Sequence, residues 1–504
     1  MTTNAATTDP ERTALGALAA LTAALLAVRL VAAQRVGFGD SEALYAAYAL
    51  HPQPAYLDHP GLVGIFARAI GAGSTPTPER AHLVTSVLAS ALPWEMAVLC
   101  RACGASWVRA LSAAFVFALV PEIAIGLFAM TPDLLLSVAW IGALACAAEG
   151  LRAPAGSPRS GAAFAGAGVL AGIAAASKVT GVLLVFSLAA AYLSGPARPR
   201  SRRAGPWIGL AIGAVVLLPV LAFEAHAGWP MLRHRLLDTQ QGAGVSWRNA
   251  SALVGGQLAY LSPLVAVLAV LAARTAWRDR TDAVGRLLLA ASVIPAIALV
   301  PLCLWSPVAE PHWLAPALLA LVPAAARATT APWRPSIVRA VALAGFMVVA
   351  VYAWVLVPGA LRLAPASYDP RFDLANELYG WPRVIEVVSS EVASEATPLS
   401  RFGDVAVVGP HWVICAQLEV GLSRNGTDVP IGCDTPTGDD YATWWPRRRW
   451  MSADSIVWVT DTRFDFSPDF AAYRVARARH FSIMRDGHET RRFSILVLTR
   501  RAQG

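Results

Sequence analysis

The chain has 504 residues, 56% hydrophobic and only 15% charged, with a mean hydropathy of +0.51. Soluble domains carry about 25% charged residues and single cores stop growing near ~250–300 residues, so soluble single-domain, disordered and collagen-like chains are excluded. The net charge of +8 and the isoelectric point near 9.5 would suit nucleic acid in a soluble chain; here short arginine-rich loops account for the charge, and no nucleic-acid partner is expected.

A membrane span needs ~20 mostly apolar residues. Stretches of that kind lie near 13–33, 81–100, 107–121, 131–150, 161–176, 178–194, 207–224, 251–273, 286–304, 312–327 and 337–357, which predicts about eleven transmembrane helices. The first is too long for the apolar core of a signal peptide, and the residues before it mix Asp9 and Glu11 with Arg12, so it reads as a span.

The loops alternate in character. Arg101 and Arg109, Arg152 and Arg159, the Arg198–Arg203 cluster with Arg200, Arg274–Arg286, and Arg327–Arg339 all fall in one set of short connectors. The positive-inside rule assigns that set to the cytoplasm. The other set comprises 34–80, 121–131, 176–178, 225–250, 304–311 and everything after 357. An odd number of spans then puts the C-terminal region outside the cytoplasmic (inner) membrane.

Within the long loop 34–80, Ser41–Leu50 and Leu62–Ile70 have helical patterns. After residue 360, Val384–Val392, His411–Gly421 and Asp469–Arg479 read as helices, and Val405–Val408, Ser455–Thr460 and Phe493–Leu498 as strands. The expected architecture is an α-helical polytopic membrane domain over 1–360, including the first outer loop, and a small extracytoplasmic α/β domain over 361–504. Cys415 and Cys433 lie in that second region, where export would permit a disulfide. Cys100-Arg-Ala-Cys103 has no second pair and reads as apolar filler rather than a metal site.

Ionisable groups at membrane depth or at helix mouths are costly, so they are functional candidates. Asp40, Glu42, Asp58, His59, Asp133, Lys178, Glu224, His226, Arg233, Glu310 and His312 all map to outer loops or outer helix ends, so a binding cavity should open outward. A carboxylate at Asp40 or Glu42 can take a proton from an acceptor hydroxyl or amine, or hold a divalent cation; equally, the pair can simply cap the helix that follows. Asp133 follows Thr131-Pro132 at a helix start and serves either as a cap or as a cavity acid. Lys178 is the only lysine in the chain. It either snorkels to headgroups or pairs with a phosphate, and using Lys once where Arg is the rule favours the phosphate. Trp229 of Gly228-Trp-Pro230 fits an interfacial belt. His312 can bind a metal or a phosphate oxygen, or stand as a polar interfacial histidine. No phosphate-binding G-x-x-x-x-G-K-[ST] loop, HExxH or GxSxG is present.

Asp40-Ser-Glu42-Ala-Leu-Tyr45, Tyr56-Leu-Asp-His-Pro60, Thr131-Pro-Asp133, Ser177-Lys-Val-Thr-Gly181, Gly228-Trp-Pro230 and His312-Trp-Leu-Ala-Pro316 follow one another in order, with Asn376-Glu-Leu-Tyr-Gly-Trp381 beyond them. In this series the chain resembles the bacterial membrane glycosyltransferases of the GT-C fold, related to protein O-mannosyltransferases and lipid A aminoarabinose transferases. The likeness covers roughly the whole chain. It implies a multi-pass, mannosyltransferase-like enzyme that moves a sugar from a polyprenyl-phosphate-linked donor to a lipid, glycan or protein acceptor on the outer face of the membrane, with inversion. The family's first-loop acids are adjacent, whereas Ser41 separates Asp40 from Glu42 here. The resemblance makes Asp40 the favoured base and Glu42 the second choice. It puts Asp58 and His59 near the donor phosphate or a metal ion, with Asp133, Lys178, Arg233 and His312 as further donor-site candidates. A divalent metal at Asp58 and His312 is the cofactor this reading allows. A flippase for lipid-linked glycans is the rival function, but transporters often show internal repeats and broken midplane helices, and the sequence shows neither. A non-catalytic scaffold is the third reading; it predicts that Asp40→Asn and Lys178→Ala alter nothing but stability.

Overall fold

The computed structural model describes residues 9–198, 202–328, 333–396, 404–435 and 439–501; Arg200 of the arginine-rich loop lies outside them. Two compact units are formed. One contains Met1–Leu30, Pro54–Leu62 and Val84–Ala350; the other contains Val31–Gln53, Val63–Leu83 and Val351–Gly504.

In chain order the helices begin with α1 (Asp9–Ala33), α2 (Asp40–Ala47), α3 (Leu62–Ile70), α4 (Pro78–Ala102), α5 (Trp107–Ala118), α6 (Pro121–Ala124), α7 (Pro132–Arg152), α8 (Pro158–Ser177) and α9 (Val182–Leu193). They continue with α10 (Ala204–Ala227), α11 (Pro230–Leu236), α12 (Trp247–Leu261), α13 (Pro263–Arg278), α14 (Ala283–Trp305), α15 (Ala315–Leu319), α16 (Leu321–Ala328) and α17 (Pro335–Leu356). Proline opens α6, α7, α8, α11 and α13. At the first helical position its missing N–H costs nothing and its fixed φ is already helical.

Among the described helices seven are long and apolar enough to cross a membrane: α1, α4, α7, α8, α10, α14 and α17. Two bent pairs raise the number to nine if each is one span: Trp107–Ala118 with Pro121–Phe128, turned by 75°, and Trp247–Leu261 with Pro263–Thr281, turned by 98°. The remaining two apolar stretches of the expected eleven are a short helix at Val179–Leu193 and the segment 312–327, which is divided between a 3-10 turn at Pro311–Leu314, α15 and α16.

In the first unit two helices pack especially closely. A Cβ on Gly168 would run into the carbonyl of Gly209, and one on Gly172 would lie 2.5 Å from the carbonyl of Gly213, so α8 and α10 approach backbone to backbone. Small residues four apart on facing helices permit this, and in lipid such contact replaces the hydrophobic effect as the source of association. Arg29 of α1 is buried. It donates to Ser90 Oγ at 3.0 Å and to the carbonyls of Ile123 and Ala124 at 2.8 and 3.0 Å, the open C-terminal end of α6.

The second unit contains a five-stranded sheet in the order β2-β1-β3-β5-β4, with β1 (Val405–Gly409), β2 (Ile431–Cys433), β3 (Ser455–Asp461), β4 (Tyr473–Arg485) and β5 (His488–Arg500). β1 runs parallel to β2 and β3; β5 is antiparallel to β3 and β4. Helices α18 (Trp381–Glu395) and α19 (Trp412–Arg424) pack on the sheet, followed by the short α20 (Asp440–Trp444) and α21 (Arg447–Trp450). Every residue of β1 and β3 is buried, and each carries an apolar run, Val405–Val408 in β1 and Ile456–Val459 in β3. Cys415 and Cys433 form a disulfide with Cα atoms 6.0 Å apart.

One expectation fails here. Asp469–Arg479 is no helix: from Tyr473 it belongs to β4. Asp486 and Gly487 both have positive φ, 51° and 79°, and turn β4 into β5 as a two-residue hairpin. Along β4, Arg477 and Arg479 reach Glu391 and Glu395 of α18 at 2.6–3.1 Å, so these strand positions are paired to a helix.

Candidate active site

The sequence candidates divide between the two units. Asp58, His59, Asp133, Lys178, Arg233 and His312 belong to the first, Asp40 and Glu42 to the second.

In the first unit, Lys178 ends α8 in extended backbone before a 3-10 turn at Val179–Gly181, and Asp133 sits in the first turn of α7. Lys178 Nζ donates to both carboxylate oxygens of Asp133, at 2.8 and 2.9 Å. His312 Nε2 is 3.5 Å from Nζ and 3.8 Å from Asp133, while its Nδ1 lies 3.1 Å from Glu310. Hydrogen bonding to His312 holds the Glu310 carboxyl below its ordinary value. Gln257 donates to the Pro311 carbonyl at 2.7 Å and fixes the turn that presents His312.

Asp58 has different partners. Arg235 donates to its backbone carbonyl at 3.2 Å and to Oδ1 at 3.0 Å, and His234 stands 3.7 Å away. Arg235 also lies over the Trp313 ring, 5.7 Å from its centroid. His59, next in the chain, is buried; burial, then the charges of Arg235 and Lys178, hold its pKa well below the usual histidine value, so it is neutral at pH 7. Arg233, the basic residue singled out from the sequence, is exposed. Arg235, two residues on in the Pro230-started α11, is the one that meets Asp58. Glu224 caps that helix, accepting from the N–H groups of Met231 and Leu232 at 3.1 and 3.3 Å; Gly228 and Trp229, both at positive φ, make the turn between. The Gly-Trp-Pro series is thus structural here.

In the second unit the two first-loop acids part company. Glu42 accepts from the Gly39 N–H at 3.0 Å, closing the first turn of α2, and from the buried His82 at 3.0 Å. Asp40 instead meets Arg463 at 2.6 Å. Arg463 is held in turn by Asp461 through Nε at 3.0 Å and Nη2 at 2.9 Å. Arg491 stands 3.6 Å from Asp461 and donates to the carbonyl of Asn376. The Asp40 N–H reaches Glu377 Oε2 at 3.4 Å. The other Asp40 oxygen, Oδ1, is buried and has no hydrogen-bond partner among the described residues. Burial raises the Asp40 pKa, and Arg463 offsets only part of that; Glu377 is pushed up to about 7 by burial and by the Asp40 charge. A carboxylate with one oxygen anchored and the other unpartnered is poised to take a proton.

Among the residues that escaped the sequence reading are His82, Arg235, Asp461, Arg463 and Arg491. Arg463 follows the C-terminal end of the parallel strand β3, where ligand groups collect in α/β sheets, a signal that was usable. Among the described residues no group of three or more His, Cys, Asp or Glu side chains is placed to hold a metal ion. Asp58 and His312, the metal candidates, are instead engaged with Arg235 and with Glu310, Asp133 and Lys178; this donor set does not suit a resident cation.

Comparisons with known proteins agree with this architecture. Residues 77–223 match the family model described as dolichyl-phosphate-mannose-protein mannosyltransferase. The crystal structure of ArnT from Cupriavidus metallidurans in the apo state superposes with a TM-score of 0.61 at 15% identity, covering 96% of this chain and 98% of that one. The chain has the GT-C glycosyltransferase fold. ArnT bound to undecaprenyl phosphate gives a TM-score of 0.56 at 15% identity over the same shares of both chains. The Archaeoglobus fulgidus oligosaccharyltransferase, tethered with an acceptor peptide containing the NVT sequon, gives 0.52 at 13% identity, covering 89% of this chain and 69% of that one. No curated protein sequence matches. With its apolar helices, this GT-C chain is a multi-pass membrane protein.

Proposed function

We propose that this protein is a polyprenyl-phosphate-sugar-dependent glycosyltransferase of the cytoplasmic membrane. It acts on the outer face, passes the sugar to a lipid, glycan or protein acceptor with inversion, and carries residues 361–504 as an extracytoplasmic domain. The observation that supports this most is the Lys178–Asp133–His312 cluster, built from helix ends of a GT-C chain around its only lysine.

The chemistry follows from charge. The bond from the sugar's anomeric carbon to the phosphate oxygen breaks, and the phosphate leaves with the electron pair. A cation must meet that charge as it forms, and Lys178, with Arg235 held on Asp58, supplies it. Asp133 fixes the ammonium in place, and the ammonium exchanges carboxylate oxygens for those of the phosphate. The acceptor hydroxyl forms the new bond from the opposite side of the anomeric carbon, which inverts that centre, and its proton goes to a carboxylate. Asp40 is assigned that role because its Oδ1 is unpartnered among the described residues; Glu42 is committed to Gly39 and His82.

The test uses the full chain in lipid vesicles with radiolabelled polyprenyl-phosphate sugars and a bacterial lipid extract as acceptor. Label should move to acceptor or appear as free sugar, and Asp40→Asn should stop it. Transfer from a nucleotide sugar instead would overturn the donor class.

A further inference from the structure

Residues 357–376, which follow α17, hold none of the groups given a role in the reaction above. The stretch contains 3-10 turns at Ala360–Leu363 and Pro370–Phe372, and a third, Leu374–Leu378, begins near its end. Gly359, at a φ of 89°, turns the chain out of the helix. The stretch has an inner side, where Leu361, Ala375 and Asn376 are buried. It also has an outer side. Leu363, Phe372 and Leu374 are 84%, 81% and 72% exposed, and Val357 is about half exposed. Single exposed apolar side chains are ordinary on a protein surface; three so bare in one short stretch call for a partner.

Hydrogen bonds place this stretch beside the last turn of α17. Trp354 Nε1 donates to the Asp373 carboxylate at 3.0 Å, and the Tyr368 hydroxyl donates to the same carboxylate at 2.8 Å. Asn376 donates to the Tyr368 oxygen and to the Pro370 carbonyl, both at 3.0 Å. Arg485 of β4 donates to the Trp354 carbonyl and stands 3.6 Å from Asp373. Phe372 and Leu374 flank Asp373 in the chain, so they lie level with Trp354 at the end of a span. The charges of the stretch are matched locally: Arg362 meets Asp486 at 3.2 Å and Arg371 meets Asp369 at 2.6 Å. Its polar groups close on one another, and the large apolar side chains are left facing outward.

We propose that this stretch is an interfacial foot: Leu363, Phe372 and Leu374 enter the bilayer leaflet that surrounds the C-terminal end of α17, at the boundary of headgroups and acyl chains. The bilayer is the partner because it is continuous with this surface; α17 already runs through it and the foot is bonded to the last turn of α17. Tryptophan and tyrosine collect at that depth, and Trp354 and Tyr368 meet there edge to face, with ring centroids 6.0 Å apart. With both of its arginines paired, the foot has no free cation to offer an anionic headgroup. Burial of apolar surface therefore drives the contact, and lipid charge does not select it. The foot holds the chain to the membrane on whichever side it leaves α17, so the inference does not depend on the transfer reaction.

The experiment uses the full chain in phosphatidylcholine vesicles at a low protein-to-lipid ratio. Spin labels go, one at a time, on Leu363→Cys, Phe372→Cys and Leu374→Cys. Thr443→Cys, at an exposed position of α20, is the aqueous reference, and the unsubstituted chain labelled in parallel sets the background. All the substituted side chains are exposed, so the fold should tolerate the changes. For each label, the collision rate with oxygen, which concentrates in lipid, is compared with that of a water-soluble nickel chelate. Oxygen should collide more often at 363, 372 and 374, and nickel at 443. The same ordering should hold when phosphatidylglycerol is added to the vesicles. Nickel-dominated collisions at 372 and 374 overturn the proposal, as does an oxygen preference that arises only with phosphatidylglycerol. Label-to-label broadening that vanishes on dilution with unlabelled chain would show a second copy covering the surface, and overturns it too.

Discussion

The Lys178 cluster of the first unit and the Asp40 cluster of the second are built from the same kinds of groups, with opposite results. Around Lys178 the cation is buried but its partners are not: the side chains of Asp133 and His312 retain about a quarter of their exposure and Glu310 well over half. Around Asp40 the network is sealed, with Asp461 fully buried and Arg463 and Asp40 nearly so. An open ion pair can exchange a partner for a ligand oxygen at small cost. A sealed one keeps its geometry and tunes the proton affinity of its members instead. The first arrangement suits an incoming phosphate, the second a base.

The sharpest way to break that comparison is to neutralise each cluster in turn. Asp40→Asn preserves shape and removes the proton acceptor, so sugar transfer from labelled polyprenyl phosphate should fall by about 10²–10⁴-fold, far beyond what the accompanying loss of the Arg463 ion pair does to the thermal midpoint. The neighbouring Glu42→Gln should reduce transfer by no more than about tenfold while lowering the midpoint, because it weakens the first turn of α2 and the contact with His82. If the two variants lose activity equally, the division of labour between them is wrong. Lys178→Ala comes next, with an expected loss of about 10²–10³-fold, the usual range for deleting one electrostatic contact to a developing charge. Transfer left intact would mean the open pair is structural.

Arg463→Gln tests the sealed cluster through pH. Arg463 pulls the Asp40 pKa down against the larger effect of burial. A base works only when deprotonated, so transfer should rise with pH through the Asp40 ionisation. Removing the guanidinium should move that rise to higher pH, costing about tenfold at most at neutral pH. A profile that stays in place would show that Asp40 is not the group titrating.

What the sequence disclosed follows a physical line. Leu62–Ile70 is helical as its local pattern predicts, and the strands at Val405, Ser455 and Phe493 appear where apolar runs stood between turn residues. Lys178 was conspicuous through composition alone. Arg463 was not, because its partner Asp40 is 423 positions away and one arginine among many carries no mark. His82, 40 residues from Glu42, sits in the opening turns of a helix and at the start of the stretch 81–100 that read as a span, and that hid it. The misread β4 has a different cause: Arg474, Arg477 and Arg479 are spaced by three and then by two, which fits a helical and a strand pattern alike, and only the Asp486-Gly487 turn, outside the window, decides between them.

The smallest effect concerns Glu377, which borders Asp40. Burial first, then the Asp40 charge, lifts its pKa from the ordinary 4.5 to about 7. In the folded chain it therefore holds a proton that the unfolded chain has released between those two values, and stability must fall as pH rises across that window and level off above it. The contribution is on the order of 3 kcal/mol at most, worth a few degrees of thermal midpoint. Glu377→Gln keeps an oxygen to accept from the Asp40 N–H and abolishes the titration. Its midpoint should lose less than the wild type's between pH 5 and pH 8. Titrating groups away from this cluster are common to both proteins and cancel in the difference, whereas Asp40, whose charge acts on Glu377, shifts with it; parallel slopes would mean that Glu377 is ionised throughout and that the sealed cluster carries one more negative charge than its geometry implies.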